Sequence, residues 1–153
     1  MAISWIRKAT IRFHFFQLSF RSRDGEKLPD RAIFDKLTSE ELHYLASIHN
    51  WDDDPTILRW IVESSKCDLG TAIMIFWLAE PDCYFMYKTP PVEEFELEIW
   101  ALLQLILEKI RTEGFLTGEQ SFIPVEAGYE IHDKAAIGIW TLPEVLQSGI
   151  HAK

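Results

Sequence analysis

The chain has 153 residues, of which 48% are hydrophobic and 13% aromatic, and its formal net charge is −9. This composition excludes a disordered protein and suits one domain with an aromatic-rich core. The acidic balance argues against a nucleic-acid binder, because such proteins neutralise phosphates with basic side chains. No uncharged run reaches the roughly 18 residues of a transmembrane helix, so we expect a cytoplasmic protein with no membrane partner.

The charge is divided unevenly along the chain. Residues 1–36 hold eight Lys and Arg against four Asp and Glu, or +4, whereas residues 37–153 hold seven against twenty, or −13. So acidic a body attracts cationic partners over a distance. A solvated surface without a partner is the plainer interpretation of the same charges.

Residues 1–36 are predicted to form an N-terminal arm that packs on the body. The segment IRFHFFQLSF nearly alternates between apolar and polar residues, and one face would carry Ile11, Phe13 and Phe15. Both a bulged strand and an amphipathic helix fit this pattern. Five basic residues before the first acid give a faint likeness to a transit sequence, but we favour a structured arm. A turn at Asp24-Gly25 would separate it from the body.

Two short helices should follow the arm, each with a start signal. Thr38 and Glu41 have the spacing of a capping box. In such a box each side chain bonds the other residue's backbone N–H. Asp54 before Pro55 predicts an N-cap and a first-turn proline, so the second helix should run from Pro55 to about Ser64.

A third helix is predicted from Leu69 to about Glu80, with Asp68 as its N-cap and Pro81 as its stop. Its side chains are apolar nearly all round. A helix of this kind belongs in the middle of a domain.

A fourth, long helix is predicted to begin near the acids Glu93 and Glu94 and to end at Gly114. Two short strands are then expected, around residues 121–125 and 135–140. A capping box of Thr141 and Glu144 would start a short last helix that ends at Gly149.

These elements predict one mainly α domain over residues 1–153. It would be a compact bundle of about five helices with a small β element near the C-terminus. The arm over residues 1–36 would pack on a helical core over residues 37–90. Residues 91–153 would add the long helix, the short strands and the last helix.

The acidic loop HNWDDDP invites comparison with a metal site formed by His49, Asp52, Asp53 and Asp54. It lacks the alternating oxygen ligands and central glycine of a calcium loop, so no metal is predicted. Asp54 serves as a cap, and a helix dipole favours the two other acids before the helix. The candidate partner-binding residues are Trp51, Asp52 and Asp53. The alternative role of Trp51 is a hydrophobic staple at the start of the second helix.

No catalytic residue and no cofactor is predicted. The sequence contains no GxSxG, P-loop, GxGxxG or HExxH motif. Cys67 and Cys83 fit no disulfide framework or zinc knuckle, and we expect two reduced thiols in the core. His132 is predicted to lie at a loop tip.

The segment HNWDDDPTILRWIVESSKCDLGTAIMIFW resembles the core motif of the bacterial DUF4274 family, a domain of unknown function. The N-W-D-D-like loop of the family matches residues 50–53, and its C-D-L-G-T-A block matches residues 67–72. The resemblance covers about residues 37–90, with the rest of the chain outside it. It implies a small, mostly helical bacterial domain of the cytoplasm, and it transfers no catalytic residue.

Proteins of this kind are also similar to small acidic proteins encoded near polymorphic toxins, some of which are immunity proteins. The leading expectation is therefore a non-enzymatic protein-binding domain, an immunity-type inhibitor whose acidic surface binds a basic protein such as its cognate toxin. One alternative is a small-molecule-binding regulator or an enzyme with a pocket from the C-terminal loops and His132. Another is a homo-oligomeric structural module, such as a homodimer, that uses the arm as its interface.

Overall fold

The computed structural model describes residues 2–16, 29–130 and 140–153. These ranges contain seven α-helices, namely α1 (Trp5–Ile11), α2 (Arg31–Phe34), α3 (Ser39–Ser47), α4 (Thr56–Glu63), α5 (Leu69–Leu78), α6 (Glu94–Arg111) and α7 (Glu144–Ser148). A π-helical turn, Arg12–Phe16, continues α1, and Pro81–Cys83 form a 3₁₀ turn. The predicted mainly α class is confirmed, and five of these helices have seven or more residues. The Asp24-Gly25 turn and His132 lie outside the described residues.

Residues 5–16 of the N-terminal arm are helical, so the strand alternative is wrong for this part of the arm. Ile11 and Phe15 are only 1% and 2% exposed, whereas Phe13 between them is 63% exposed. A spacing of four residues places two side chains on one face of a helix, which explains why the buried pair skips Phe13. Nε of Arg12 donates to the hydroxyl of Tyr44 at 2.7 Å and ties the arm to α3.

Helix α5 lies at the centre of the fold. Every residue from Gly70 to Trp77 is buried, as the apolar pattern of this helix predicted. Helices α3 and α6 pack against α5, and α4 packs on both α3 and α6. The indole Nε1 of Trp77 donates to the carbonyl oxygen of Leu146 at 2.6 Å and attaches α7 to this centre. None of the helices in the described ranges is long and apolar enough to cross a bilayer.

The start of α3 follows from its capping residues. Glu41 donates its backbone N–H to Thr38 Oγ1 at 3.3 Å, and Thr38 donates its own to Glu41 Oε2 at 3.0 Å, which completes a capping box. At α4 the carboxylate of Asp54 accepts the N–H of Thr56 at 2.7 Å. Pro55 occupies the N-cap position of α4 without a side-chain cap bond, so the bond of Asp54, the predicted cap, belongs to the turn before the helix. The hydrogen-bonded helix begins at Thr56, one residue later than predicted.

The start predicted for the last helix is wrong. Helix α7 begins at Glu144, and Pro143 occupies its N-cap position without a side-chain cap bond, so Thr141 and Glu144 form no capping box. A residue before proline is disfavoured in the α conformation, so Pro143 prevents the helix from extending back through Leu142. The helix ends at Gly149, where φ is +76°. This left-handed region suits glycine.

The described residues do not show the small β element expected near the C-terminus. The described residues contain two isolated bridges, one between Asp68 and Leu116 and one between Phe122 and Ile150. Residues 124–128 form a turn instead of a strand. Pro124 opens this turn, and proline removes a donor that a strand ladder needs. Of the second expected strand only Trp140 lies within the described residues.

Candidate functional site

The acidic loop between α3 and α4 is a tight turn organised by Asn50. The side-chain oxygen of Asn50 accepts the N–H of Asp52 at 3.3 Å, and its carbonyl oxygen accepts the N–H of Asp53 at 2.9 Å. Asp52 is exposed and Asp53 half-buried. Trp51 is half-buried against the core, and its ring meets that of His49 edge to face, with centroids 5.4 Å apart. The turn therefore directs aspartates outward and the tryptophan inward.

Two glutamates at the start of α6 extend this acidic surface. Burial is the largest cause that raises the pKa of Glu98, and the negative charge of Asp54 raises it further, with a smaller increase from Glu94. Arg59 acts in the opposite direction. These carboxylates are near enough to repel one another. We call Asp52, Asp53, Asp54, Glu94 and Glu98 the acidic face.

His49 does not supply a positive charge to the acidic face at neutral pH. Burial lowers the pKa of His49, and Asp53 and Asp54 offset only part of this effect. Its Nε2 is buried without a hydrogen-bond partner among the described residues. Across the same residues no group of three or more His, Cys, Asp and Glu side chains is arranged to hold a metal ion.

We call residues 112–130, which follow α6, the C-terminal segment. The C-D-L-G-T-A block holds this segment against the start of α5. Asp68 is fully buried. Its Oδ1 accepts the N–H of Gly70 at 2.9 Å, and its Oδ2 accepts the N–H of Glu119 at 3.1 Å. One carboxylate thus caps a helix and binds a backbone group about fifty residues away in sequence. A buried carboxylate needs such donors, because water no longer solvates its charge.

Backbone contacts next to Asp68 strengthen the same attachment. Leu69 donates its N–H to the carbonyl oxygen of Leu116 at 2.7 Å, and Leu116 donates to that of Cys67 at 3.2 Å. The carbonyl group of Gln120 lies where a side chain on Gly70 would be. Glycine is therefore required because two backbones approach closely, although it lowers helix propensity.

Two further polar side chains of this region are satisfied internally. Nδ1 of His43 lies 2.9 Å from Oγ1 of the fully buried Thr71, and burial lowers the pKa of His43. The amine of Lys109 is buried and donates to the carbonyl oxygens of Val62 at 2.7 Å and Ser64 at 3.4 Å. These carbonyls lie at the C-terminal end of α4, where the helix dipole favours a cation.

Cys67 is not placed for nucleophilic catalysis by a thiolate. Cys67 is buried, and burial raises the pKa of its thiol to about 12. A thiol of this pKa stays protonated at neutral pH and does not act as a nucleophile. Cys83 was expected in the core, but it is exposed because it closes the 3₁₀ turn Pro81–Cys83 at the surface.

The structure places the predicted site residues in two groups. Trp51, Asp52 and Asp53 lie in the acidic loop, whereas Asp68 lies in the buried attachment of the C-terminal segment. Glu98 was not predicted as a member of the acidic face. Its separation from Asp54 is more than forty residues, and no local pattern in the sequence joins them.

The described residues thus form an α-helical domain with an exposed acidic face and a buried polar motif that has a structural role. Residues 37–111 match the family described as Domain of unknown function (DUF4274), which confirms the predicted resemblance. The match reaches Arg111 and therefore includes all of α6, whereas the predicted resemblance ended at about residue 90. Neither the curated proteins nor the solved structures contain a significant match to the chain.

Proposed function

We propose that this protein is a non-enzymatic protein-binding domain that binds a basic protein through its acidic face. The observation that carries the proposal is the environment of Glu98. Its pKa is raised by burial and by the like charges of Asp54 and Glu94. Folding gathers carboxylates that repel one another, and a partner that brings Lys or Arg side chains would remove this repulsion.

The other charges of the domain support the same proposal. Both ion pairs found in the described part of the chain, Arg7–Glu41 and Arg31–Asp35, involve no member of the acidic face. Arg59 is the cation whose charge acts on Glu98. The net charge of −9 adds a long-range attraction for a basic partner.

Trp51 is the proposed anchor at the edge of the acidic face. Its inner side packs on the core, which holds the ring in one orientation. A ring that is already ordered loses little conformational entropy when a partner covers its remaining surface. Tryptophans beside charged residues are frequent binding hot spots.

In its finer form the proposal makes the partner a toxin and this protein its inhibitor. This form depends on the resemblance to immunity-type proteins, because the acidic face specifies only a basic surface on the partner. An inhibitor would act by covering that surface.

The binding proposal is tested by capture of partners from the source cells with immobilised protein. Three forms are compared: the unaltered chain, the double variant Asp52→Asn/Asp53→Asn, and the control Glu113→Gln/Glu126→Gln. The control also removes two exposed charges, but from outside the acidic face. We expect one basic protein to be retained at low salt by the unaltered chain and the control, and to be released at high salt. Equal retention by all three forms would contradict the proposal.

The inhibitor form is tested by expressing the captured partner alone and together with this protein. We expect growth arrest by the partner, rescue by the unaltered chain, and weaker rescue by Asp52→Asn/Asp53→Asn. A partner without toxicity would contradict the inhibitor form and leave protein binding as the function.

A specific observation favours assembly through the arm as a second candidate function. Helix α1 and the turn after it expose Trp5 (81%), Ile6 (71%) and Phe13 (63%). Exposed apolar clusters mark interaction surfaces in many proteins. Light scattering of the unaltered chain and of Trp5→Ser/Phe13→Ser tests this candidate: a dimer that the variant converts to a monomer would support it, and a monomer in both would reject it.

A further inference from the structure

A second surface feature lies away from the acidic loop, between α6 and the segment that follows the 3₁₀ turn. It is a cleft of about 100 Å³. Three aromatic side chains line it, namely Tyr87, Trp100 and Trp140. Two cations, Lys88 and Arg111, and the amide of Gln104 line it as well. Of these residues only Trp140 lies outside the DUF4274 match, and none belongs to the acidic face.

The charge of the cleft is opposite to that of the whole chain. Lys88 and Arg111 both line it, although the chain carries a net charge of −9. Nη2 of Arg111 donates to the carbonyl oxygen of Thr141, which fixes one side of the guanidinium group. Guanidinium has five N–H donors, so this bond leaves several for a ligand. The cleft therefore offers an oriented donor group and a second positive charge to an anion.

Trp100 adds a donor that no described residue accepts. Its indole Nε1 is buried and has no hydrogen-bond partner among the described residues. A buried N–H without an acceptor is unfavourable. A ligand oxygen that reaches Trp100 Nε1 would form a hydrogen bond without breaking one to a described residue. Tyr87 is already occupied, since its hydroxyl donates to Glu96 Oε2 at 3.0 Å.

We propose that this cleft binds a small carboxylate that carries a flat apolar ring. The carboxylate would lie between Lys88 and Arg111 and accept the indole N–H of Trp100, while its ring would pack against Trp140. Arginine recognises a planar carboxylate with two parallel hydrogen bonds. The aromatic walls favour a ring over a hydrated ion such as free phosphate.

The volume sets the size of the ligand. Pockets for drug-sized molecules measure roughly 300–1,000 Å³, so a cleft of about 100 Å³ accepts one ring at most. A ligand of this size has few atoms to contribute to binding, and we expect a dissociation constant on the order of 1 mM.

The test uses benzoate as the probe and ¹⁵N-labelled protein. The chain has six tryptophans, and the indole signal of Trp100 is the one that disappears in Trp100→Phe. We expect benzoate to shift this signal in a saturable way. Benzamide, its neutral analogue, should bind about tenfold more weakly, because it cannot pair with the two cations.

Three charge variants locate the binding. Arg111→Gln and Lys88→Gln should each weaken benzoate binding about fivefold or more. Lys36→Gln removes an exposed cation outside the cleft and should leave binding unchanged. Thermal unfolding confirms that each variant is folded, and Lys88→Gln is informative even if loss of the Arg111–Thr141 bond unfolds the other variant. Equal affinity for benzamide, equal weakening by Lys36→Gln, or no shift of the Trp100 signal would each overturn the proposal.

Discussion

The carbonyl oxygen of Gln120 lies against Gly70 so closely that a β-carbon added to Gly70 would overlap it. The atoms in the way belong to backbone, which has little freedom to move aside. Gly70 is part of α5, and helix propensity alone would favour alanine there. The glycine thus belongs to the contact between α5 and the C-terminal segment.

We therefore expect Gly70→Ala to lower the free energy of unfolding by about 2–3 kcal/mol because of this overlap. The higher helix propensity of alanine, by itself, would raise the free energy of unfolding by about 1 kcal/mol. Urea unfolding measures the change. Gly128→Ala is the matched control: its φ is +90°, and no atom lies within 4 Å of the added carbon. It should lose about 1 kcal/mol through backbone strain alone. A Gly70→Ala protein as stable as the unaltered chain would contradict the close approach.

Local signals were sufficient to predict most of the helices. Thr38 with Glu41, Asp68 before Leu69 and Gly149 are short-range patterns, and the structure uses each of them at a helix end. The missing capping box at Thr141 has a local cause too, since Pro143 determines where the helix starts.

The long-range partners could not be predicted in this way. No periodicity links Asp68 to the N–H of Glu119, or Asp54 to Glu98, because these pairs form only after the helices pack. The arm was ambiguous for a different reason. Its near alternation fits two periods, and only the burial of Ile11 and Phe15 without Phe13 distinguishes them.

Removal of the Asp68 carboxylate should loosen the C-terminal segment. We expect Asp68→Ala to lose about 2–4 kcal/mol of unfolding free energy, since the buried N–H of Gly70 and the partly buried N–H of Glu119 would lose their acceptor. Hydrogen exchange should accelerate at the amide of Glu119. Asp54→Ala removes an exposed acceptor, that of the Thr56 N–H, and should lose only about 1 kcal/mol. Equal losses in the two variants would show that Asp68 acts as a simple cap.

The two thiols should differ strongly in reactivity. Burial raises the pKa of Cys67 to about 12, whereas Cys83 is exposed. At neutral to mildly basic pH we expect Ellman's reagent to modify one thiol in the folded protein and both in denaturant. Cys83→Ser should abolish the rapid reaction. Rapid modification of the folded Cys83→Ser variant would show that Cys67 is accessible.

The pair of Arg7 and Glu41 should make stability depend on pH. Burial opposes ionisation of Glu41, but hydrogen bonds from Arg7 and Thr38 outweigh it and hold the pKa of Glu41 below its ordinary value. The stability from this pair is therefore present above the unfolded pKa of about 4.3 and is lost as the pH falls through the lower folded pKa.

Arg7→Gln measures this contribution. Because the side chain of Arg7 is 41% exposed, we expect a loss of only about 1 kcal/mol at pH 7, which disappears at a pH low enough to protonate Glu41 in the folded protein. Thermal unfolding at both pH values tests it, with Lys36→Gln as a control that should show no difference at either. A loss of the same size at low pH would mean that Arg7 acts through packing.

Several groups inside the DUF4274 match find their hydrogen-bond partners beyond its last residue. Asp68 receives the N–H of Glu119, and Trp77 donates to Leu146. A fragment trimmed to residues 37–111 would open a buried carboxylate and an indole to solvent. We therefore expect the excised match to be less stable than the whole chain, because these two hydrogen bonds cross its last residue.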